Sequence, residues 1–432
     1  MLSRYLFIIL IFIINSAQAG IIRDSEIEEA VNYIVDPLRR VSKLNDLKIY
    51  VIDEQEPNAF TAGGNIIFVT SGLIIDYPDP DVLRGILAHE IGHIIGKHLV
   101  RRDEVLENYK KAAIGTAALG LATAMSGGAA EGFAVTMGGF HMSERSVYAY
   151  SRELESSADQ LAIKILEKSG HSAIGMLKFF EKMKIQGFDG SDNVYDQTHP
   201  LNSERISVIR QAVSRSKYPT SQNQDDIITK YARSSAKLAA FTLEPKQVSS
   251  YKIENENKEE LGRYIEAISC FRLGNFDDAL NNINFLIMKH PDDSFYHELK
   301  AQIYFEAGKS AALHEYELAE EKRPQDPLIR LGKAIVGITK YMNNPQYMAR
   351  YYKDLLFVLE KEPDNLLALY YCAIYYEKNG QIGKGHLNTA IIAFNTGRMA
   401  DARKMASMAM KELPNKSPDW YKASDIIEAT KQ

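Results

Sequence analysis

The stretch HEIGH, residues 89–93, lies within a run from 81 to 100 whose apolar side chains recur at helical spacing. Residues four apart lie on the same face of a helix, so His89 and His93 can bind one metal ion, with Glu90 beside the water that such an ion activates. So apolar a helix is expected to be buried, and burying two imidazoles and a carboxylate without a ligand costs several kcal/mol. The stretch therefore predicts a domain built around a buried helix that carries a metal site.

A third ligand is expected elsewhere in the chain, because a catalytic zinc usually has three protein ligands and one open position. Residues 151–169 form a second helical run, in which Glu155 and Asp159 lie one turn apart on one face. Glu155 can bind the ion, and Asp159 can accept a hydrogen bond from a ligand histidine and so fix its tautomer. Glu153 is nearly as well placed as Glu155, and a charged surface face is the alternative interpretation of the run. The spacing alone leaves these alternatives open.

Other metal ligands are limited by the composition. The chain has two cysteines, Cys270 and Cys372, which permit neither a disulfide framework nor a cysteine-rich metal site. His98 follows His89 by nine residues, which is about 180° around a helix. It is therefore predicted to face away from the metal as an ordinary surface histidine. Any metal is expected on the HEIGH histidines and on carboxylates.

The composition is that of an ordinary globular protein. The chain has 432 residues, 45% of them hydrophobic and 25% charged, and a formal net charge of −5. These values exclude a disordered, collagen-like or multi-span membrane protein, and the length indicates at least two domains. The sequence lacks the clustered basic excess that nucleic-acid binders usually carry. We therefore expect no nucleic-acid partner.

Residues 1–19 have the pattern of a signal peptide, with one basic residue, Arg4, then an apolar run from 5 to 14, and the small-residue motif AQA before Gly20. The apolar run is shorter than the roughly 20 residues of a transmembrane helix. Cleavage before Gly20 is predicted, and an uncleaved anchor is the alternative. Either way the rest of the chain is expected to be exported to the periplasm, where a scarcity of cysteine suits the oxidising compartment.

The C-terminal part of the chain repeats itself. Small residues, glycines and prolines recur at steps of 34, 34 and 33 residues, a period typical of helix–turn–helix repeats. The order of a small residue, an aromatic residue, glycine, an alanine-rich helix and proline resembles the tetratricopeptide repeat. A concave groove that holds a partner is the functional interpretation, and a solenoid used only for solubility or dimerisation is the alternative. The recurring pairs are Ala267 and Ala301, Gly274 and Gly308, and Pro291 and Pro324.

Five short motifs are shared with one known family: Asn58-Ala59-Phe60, HEIGH, Glu155-Ser156-Ser157-Ala158-Asp159, His199-Pro200 and Glu204-Arg205-Ile206. Together they resemble the gluzincin peptidases of the CAAX prenyl protease type. The resemblance implies that Glu155, the glutamate of the ExxAD motif, is the third zinc ligand, and it disfavours Glu153. It implies one Zn²⁺ per chain and peptide-bond hydrolysis with Glu90 as the base. The lack of long apolar spans excludes the multi-span prenyl protease itself.

The combination of an export signal, a catalytic domain and C-terminal tetratricopeptide repeats resembles the BepA-like periplasmic proteases, over almost the whole mature chain. This resemblance implies a zinc metalloendopeptidase with chaperone-like repeats that acts in the quality control and assembly of outer-membrane β-barrel proteins. It implies unfolded or stalled β-barrel chains as substrates and the barrel-assembly machinery as the partner of the repeat groove. A mainly non-proteolytic, repeat-based chaperone or adaptor at that machinery is the alternative function.

His199 and Arg205 complete the predicted site. The BepA-like pattern implies that the His199 imidazole is a fourth, inhibitory zinc ligand at rest. The alternative is that His199-Pro200 only punctuates the start of a helix. Arg205 is predicted to orient the loop around His199 or to support the oxyanion.

The predicted fold class is α-rich. Residues 20–215 are expected to form a mainly helical zincin catalytic domain with a small β-hairpin or sheet. Residues 216–258 are interpreted as a connecting helix and linker, and residues 259–432 as an all-α tetratricopeptide-repeat solenoid.

Two segments of the catalytic domain are predicted to control how substrate reaches the site. The alanine- and glycine-rich segment 112–140 is predicted to be a lid or an interface with peripheral membrane contact, and plain core packing and a membrane span are the alternatives. Strands at 47–52 and 65–69, joined through Gly63-Gly64, are predicted to form the hairpin or sheet. A substrate strand is expected to pair with the exposed edge of the strand at 65–69.

Overall fold

The computed structural model describes most of the chain, which divides into two compact units. The first unit ends at Leu273, and the described part of the second unit begins at Gly274. The predicted leader 1–19 and the segment 112–140 lie outside the described residues and stay predictions. The described residues are 20–98, 152–185, 195, 198–218, 225–251 and 258–431.

A four-stranded sheet lies in the first unit, in the order β1-β2-β4-β3. The strands are β1 (Ile21–Ile22), β2 (Lys48–Ile52), β3 (Ala59–Thr61) and β4 (Ile66–Thr70). β1 pairs with β2 and β3 pairs with β4 in antiparallel register, whereas β2 and β4 are parallel neighbours. The predicted small sheet is thus confirmed.

The pairing of the strands differs from the predicted hairpin. The two predicted strands, β2 and β4, lie side by side in parallel, and the hairpin is formed by β3 and β4 around Gly63 and Gly64, whose φ angles are 110° and 59°. β3 has three residues, too few to show a period-two pattern in the sequence. Because β4 has a neighbour on each side, residues 65–69 do not form an edge strand, and within the described residues the edges of the sheet are β1 and β3.

Most helices of the first unit share one apolar core with the sheet, and the two helices that begin at Pro245 and Lys258 contribute no residue to it. The helices are α1 (Ser25–Ser42), α2 (Ser71–Asp76), α3 (Pro80–Ile95), α4 (Arg152–Lys168), α5 (Ile174–Ile185), α6 (Ser203–Arg215), α7 (Asp225–Thr242), α8 (Pro245–Ser250) and α9 (Lys258–Arg272). Helix α3 carries HEIGH and is buried from Pro80 to His93. It begins where the Asp79 side chain accepts the backbone N–H of Asp81 and where Pro80 needs no hydrogen-bond partner.

Helices α3 and α4 approach closely at Gly92. A Cβ atom at this position would lie 2.7 Å from the carbonyl oxygen of Ala158, which is closer than two such atoms can come. The contact therefore requires a glycine inside HEIGH. Because Ala158 belongs to the ExxAD motif, the same contact brings Glu155 and Asp159 against the two histidines of α3.

Helix α9 belongs to the first unit, although the repeat pattern places it in the predicted repeat domain. Within the first unit, its Tyr264 hydroxyl donates to the buried Glu26 carboxylate of α1 over 2.7 Å. The predicted domain limits at 215 and 258 stay a prediction.

The second unit is all-helical over its described residues, and each helix packs on the next along the chain. Gly274, Gly308, Gly380 and Gly397 stand at turns with φ between 67° and 79°, a conformation that glycine adopts at low cost. This requirement explains why glycine recurs in the sequence repeat. The predicted α-rich fold with helical repeats is confirmed. The helices are α10 (Phe276–Lys289), α11 (Ser294–Glu306), α12 (Ala312–Lys322), α13 (Pro327–Lys340), α14 (Pro345–Lys361), α15 (Leu366–Lys378), α16 (Ile382–Asn395), α17 (Met399–Glu412) and α18 (Pro418–Ala429).

Two further features concern membranes and cysteines. Within the described ranges, none of the helices combines the length and the apolar character that a membrane crossing needs. Cys270 and Cys372 are both buried, and neither forms a disulfide.

Candidate metal centre

Four buried side chains converge in the first unit: His89 and His93 of α3, Glu155 of α4, and His199 before α6. None of them is more than 1% exposed. The Nε2 atoms of His89 and His93 are 3.0 Å apart, and the carboxylate oxygens of Glu155 lie 3.3 Å and 3.4 Å from them. Nδ1 of His199 lies 3.4 Å from Nε2 of His89 and 3.3 Å from Oε1 of Glu155. The four residues can therefore present one atom each to a single ion.

The spacing of these atoms suits a tetrahedral zinc ion. Zinc binds nitrogen and oxygen ligands at about 2.0–2.1 Å, so two ligands of a tetrahedral site lie about 3.3 Å apart. The separations in the cluster run from 3.0 Å to 3.4 Å and bracket this value. Imidazole nitrogens with a carboxylate are also ligands that zinc prefers.

The polarity of the cluster favours a cation. His89 Nδ1 lies 2.9 Å from Oδ1 of Asp159, so its N–H points outward and its Nε2 lone pair points into the cluster. Burial lowers the pKa of His89, but its hydrogen bonds to Asp159 and Glu155 outweigh burial and raise the pKa to about 9. Burial and the nearby charge of His89 lower the pKa of His93 well below its usual range. The carboxylates beside His89 thus stabilise a positive charge in the cluster. A bound zinc ion can supply this charge instead of a proton on His89.

Arg205 of α6 holds the two carboxylates of α4. Its Nε and Nη2 atoms donate to Asp159 over 2.7 Å and 3.0 Å, and its Nη1 atom lies 3.0 Å from Oε2 of Glu155. Burial by itself would raise the pKa of Asp159, but the hydrogen bonds from His89 and Arg205 lower it. Asp159 is therefore held as the carboxylate that orients His89.

Glu90 lies fully buried beside the ligands. Its Oε1 is 3.4 Å from Nε2 of His199, and the backbone N–H of Thr61 in β3 lies near its carboxylate and favours the charged form. Burial raises the pKa of Glu90. This shift moves the pKa of the carboxyl group toward neutral pH, which is the direction that suits a general base.

His199 is held by its backbone as well as by its ring. Its N–H donates to the carbonyl oxygen of Tyr195 over 2.7 Å, and the two rings lie 4.9 Å apart between centroids. Nη1 of Arg205 donates to the carbonyl oxygens of His199 and Pro200 over 3.3 Å and 2.9 Å. The guanidinium that holds the two carboxylates therefore also fixes the loop that carries His199, the fourth ligand candidate.

The structure brings the residues singled out in the sequence into one place, with Glu90, Asp159 and Arg205 in contact with the four ligand candidates. Spacing had left Glu153 and Glu155 as alternatives. Glu155 is buried in the cluster, whereas Glu153 is exposed. The packing of α4 against α3 thus places Glu155 at the site.

The sequence interpretation of His98 is wrong. Helix α3 ends at Ile95, and Lys97 has a left-handed φ of 51°, so the chain turns back after the helix. His98 is fully buried, and its Nδ1 lies 3.0 Å from Nδ1 of His93. The projection around a helix failed because His98 lies beyond the end of the helix.

Sequence reasoning also missed Thr61 and Tyr195. Tyr195 precedes His199 by four residues, a spacing at which side chains meet on a helical turn and which could have indicated the contact. Thr61 had no comparable signal, because its proximity to Glu90 depends on the packing of a strand against a helix that is distant in sequence.

Comparison with known proteins gives consistent matches. Residues 22–213 match the model of peptidase family M48. The beta-barrel assembly-enhancing protease of Yersinia pestis is 24% identical over 331 residues, which cover 74% of this chain and 66% of that protein. The protein of the same name from Escherichia coli K12 is 24% identical over 331 residues, 73% of this chain and 66% of its own length.

A further relative matches a shorter part of the chain. Metalloprotease YcaL of Escherichia coli K12 is 29% identical over 171 residues, or 39% of this chain and 63% of that protein. The chain spans 66% of the length of the two assembly-enhancing proteases. With the buried ligand cluster, these matches confirm the predicted family resemblance and the predicted zinc cofactor.

Proposed function

We propose that this protein is an exported zinc endopeptidase acting in the quality control and assembly of outer-membrane β-barrel proteins. Residues 22–213 match the model of peptidase family M48 and contain a buried cluster that can hold a zinc ion. The observation that carries the proposal is the position of Glu90. It is a buried carboxylate of raised pKa, beside the ligands but outside the ligand set. A base placed in this way beside a zinc site is suited to the hydrolysis of peptide bonds.

Each residue of the site has a separate role in the proposed hydrolysis. His89, His93 and Glu155 would hold the zinc, which when bound would lower the pKa of water toward about 7 and polarise the scissile carbonyl. Glu90 accepts a proton from the attacking water and passes it to the leaving amine. Asp159 holds His89 in the tautomer whose Nε2 faces the cluster. The reaction needs no covalent intermediate with the chain.

The edge of β3 is the proposed docking site for the substrate backbone. β3 packs on α3, and the N–H of Thr61 reaches Glu90, so this strand runs beside the base. An extended substrate can add to a strand edge through main-chain hydrogen bonds, which recognise β-forming chains with little dependence on sequence. Unfolded or stalled β-barrel chains meet this requirement.

Several observations support the proposed setting. Two relatives carry names that refer to enhanced β-barrel assembly. The pattern of residues 1–19 supports export to the periplasm. The helical repeats of the second unit, with their tetratricopeptide-like period, support a chaperone-like groove for the barrel-assembly machinery. The composition of residues 112–140 supports peripheral membrane contact.

The test of the function is cleavage of an unfolded outer-membrane β-barrel chain by the zinc-loaded protein purified from Gly20. Peptide fragments should accumulate, and a chelator should stop their formation. An unfolded helical protein of similar length serves as the comparison substrate. Equal cleavage of both chains would contradict the β-barrel part of the proposal, and no cleavage of either would contradict the endopeptidase.

Glu155→Ala is expected to lower the zinc content from about one ion per chain to near zero, because the variant removes one of three protein ligands. The measurement is elemental analysis of the purified protein. Glu153→Ala is the matched control, since this glutamate lies in the same turn of α4 but is exposed. A Glu155→Ala protein with a full complement of zinc would remove Glu155 from the ligand set.

We also propose that His199 closes the site at rest. Its Nδ1 lies 3.4 Å from Nε2 of His89 and would supply a fourth ligand to the ion in place of water, and its Nε2 lies 3.4 Å from Oε1 of Glu90. His199→Ala is then expected to raise peptidase turnover about tenfold or more, the gain for a site that is open about 10% of the time or less. Thr198→Ala is the neighbouring control. Unchanged or reduced turnover in His199→Ala would contradict the inhibitory role.

A further inference from the structure

We propose that His98 is a positioning residue for the zinc ligand His93. This inference rests on the proposed zinc site but not on the identity of the substrate. The Nδ1 atoms of the two rings are 3.0 Å apart, within hydrogen-bond distance, and both side chains are buried. The two rings meet nearly edge to face, with 5.0 Å between centroids and an interplanar angle of 84°.

The direction of the hydrogen bond follows from the zinc site. Nε2 of His93 faces Nε2 of His89 and the Glu155 carboxylate, so this nitrogen is the one that binds the ion. A neutral imidazole that offers Nε2 as a ligand carries its proton on Nδ1. That N–H points at Nδ1 of His98, which therefore accepts it. The hydrogen bond fixes both the tautomer and the ring orientation of His93.

The turn after α3 is shaped to place the His98 ring at this spot. Lys97 adopts a left-handed φ of 51°, which reverses the chain directly after the helix. A Cβ atom at Gly96 would lie 2.2 Å from Nε2 of His98 and within 2.8 Å of two further ring atoms. The ring therefore occupies space that only glycine leaves free. Gly96 itself has ordinary right-handed helical angles, so the space and not its backbone conformation requires glycine.

The two ligand histidines thus have different partners. Asp159 accepts from His89, and a neutral imidazole accepts from His93. The site already holds three buried carboxylates, from Glu90, Glu155 and Asp159. A neutral acceptor orients His93 without a further negative charge, whose burial would be costly.

The test measures zinc affinity of the full chain from Gly20, by competition with a chelator of known affinity. His98→Leu removes the acceptor while filling the space with an apolar side chain, and it should weaken zinc binding about 10- to 100-fold. In His98→Asn, the Oδ1 atom can take the place of Nδ1, and most of the affinity should return. His171→Leu is the control, because this histidine lies outside the cluster.

Gly96→Ala tests the same contact without changing His98. The added methyl group must displace the ring, so zinc binding should weaken in the wild-type background. In a His98→Leu background the same change should have less effect on zinc affinity, because the acceptor is already gone. This difference between the two backgrounds measures the coupling of the two positions.

Wild-type zinc affinity in His98→Leu would overturn the inference, as would an equal loss in His98→Asn and His98→Leu with both proteins folded. Thermal unfolding of the metal-free proteins shows whether a variant has lost its fold. Because the readout is metal affinity, failure of the proposed peptidase function would appear separately, as a zinc-loaded wild-type protein that cleaves nothing.

Discussion

Replacing Glu90 with Gln is expected to lower the rate of peptide hydrolysis by about 10²–10⁴-fold, the range that a positioned general base contributes. Glutamine keeps the shape of the side chain, and its carbonyl oxygen can still lie near the N–H of Thr61. It cannot take a proton from water. Because Glu90 is outside the ligand set, the variant should retain about one zinc per chain. The measurements are turnover of an unfolded β-barrel substrate and metal content of the same sample.

Glu153→Gln is the matched control for this change. Glu153 is an exposed glutamate of α4, two residues from a ligand, and its neutralisation should leave turnover within about a factor of two, as surface substitutions usually perturb little. Retained activity in Glu90→Gln would exclude this residue as the base. Loss of both zinc and activity would instead indicate a structural role.

The same variant separates the proposed endopeptidase from the alternative chaperone or adaptor. A cell that depends on proteolysis should lose envelope integrity with Glu90→Gln as severely as with deletion of the protein. If Glu90→Gln preserves envelope integrity while degradation stops, the binding function of the repeats carries the biological role. The repeats and the zinc site can be tested separately in this way because Glu90 lies in the first unit.

Replacing Arg205 with Ala is expected to destabilise the first unit by about 3–5 kcal/mol, the usual cost of removing one partner from a buried ion pair. Arg205 is 4% exposed and donates two hydrogen bonds to Asp159, while its third nitrogen pairs with Glu155. Without the guanidinium, two buried carboxylates would lose the positive charge that they share, and the loop at His199 would lose two hydrogen bonds. Arg205→Lys keeps the positive charge but lacks the several N–H donors of the guanidinium. We therefore expect it to destabilise the first unit less than Arg205→Ala does.

Arg210→Ala provides the control within the same helix. Arg210 pairs with Glu181 over 2.7 Å, but their side chains are 60% and 43% exposed, and such pairs contribute about 0–1 kcal/mol. Hydrogen exchange of peptides from α3 and α4 measures the first unit, whereas fluorescence of Trp420, the single tryptophan, reports on the second unit. Equal protection of α3 and α4 in the two variants would contradict the role of Arg205.

Helix α3 and its candidate ligands were predictable because the pattern that indicates them lies within one short stretch of sequence. Two histidines four residues apart share a helix face whatever the rest of the chain does, and the apolar residues between them indicate burial. The helical repeats were predictable for a similar reason, since a period near 34 residues and glycines at left-handed turns are visible in the chain itself.

Prediction was harder where a contact joins distant segments or where a helix ends. The three-residue strand β3 carries too little pattern to identify, yet within the described residues it is the edge strand that lies beside Glu90. His98 was placed on the wrong side because the left-handed turn at Lys97 ends the helical geometry on which the projection relied.

The sequence by itself predicted the pair of histidines that can bind zinc, the glutamate between them as the base, and the helical character of the protein and its repeats, because each depends on spacing within one helix or one repeat. Only the tertiary structure decided that Glu155 and not Glu153 faces the ion, that His98 supports His93, and that Arg205 holds two carboxylates and a loop. These choices depend on the packing of α3, α4 and α6, which sets the rotation of each helix. Spacing along one helix carries no information about that rotation.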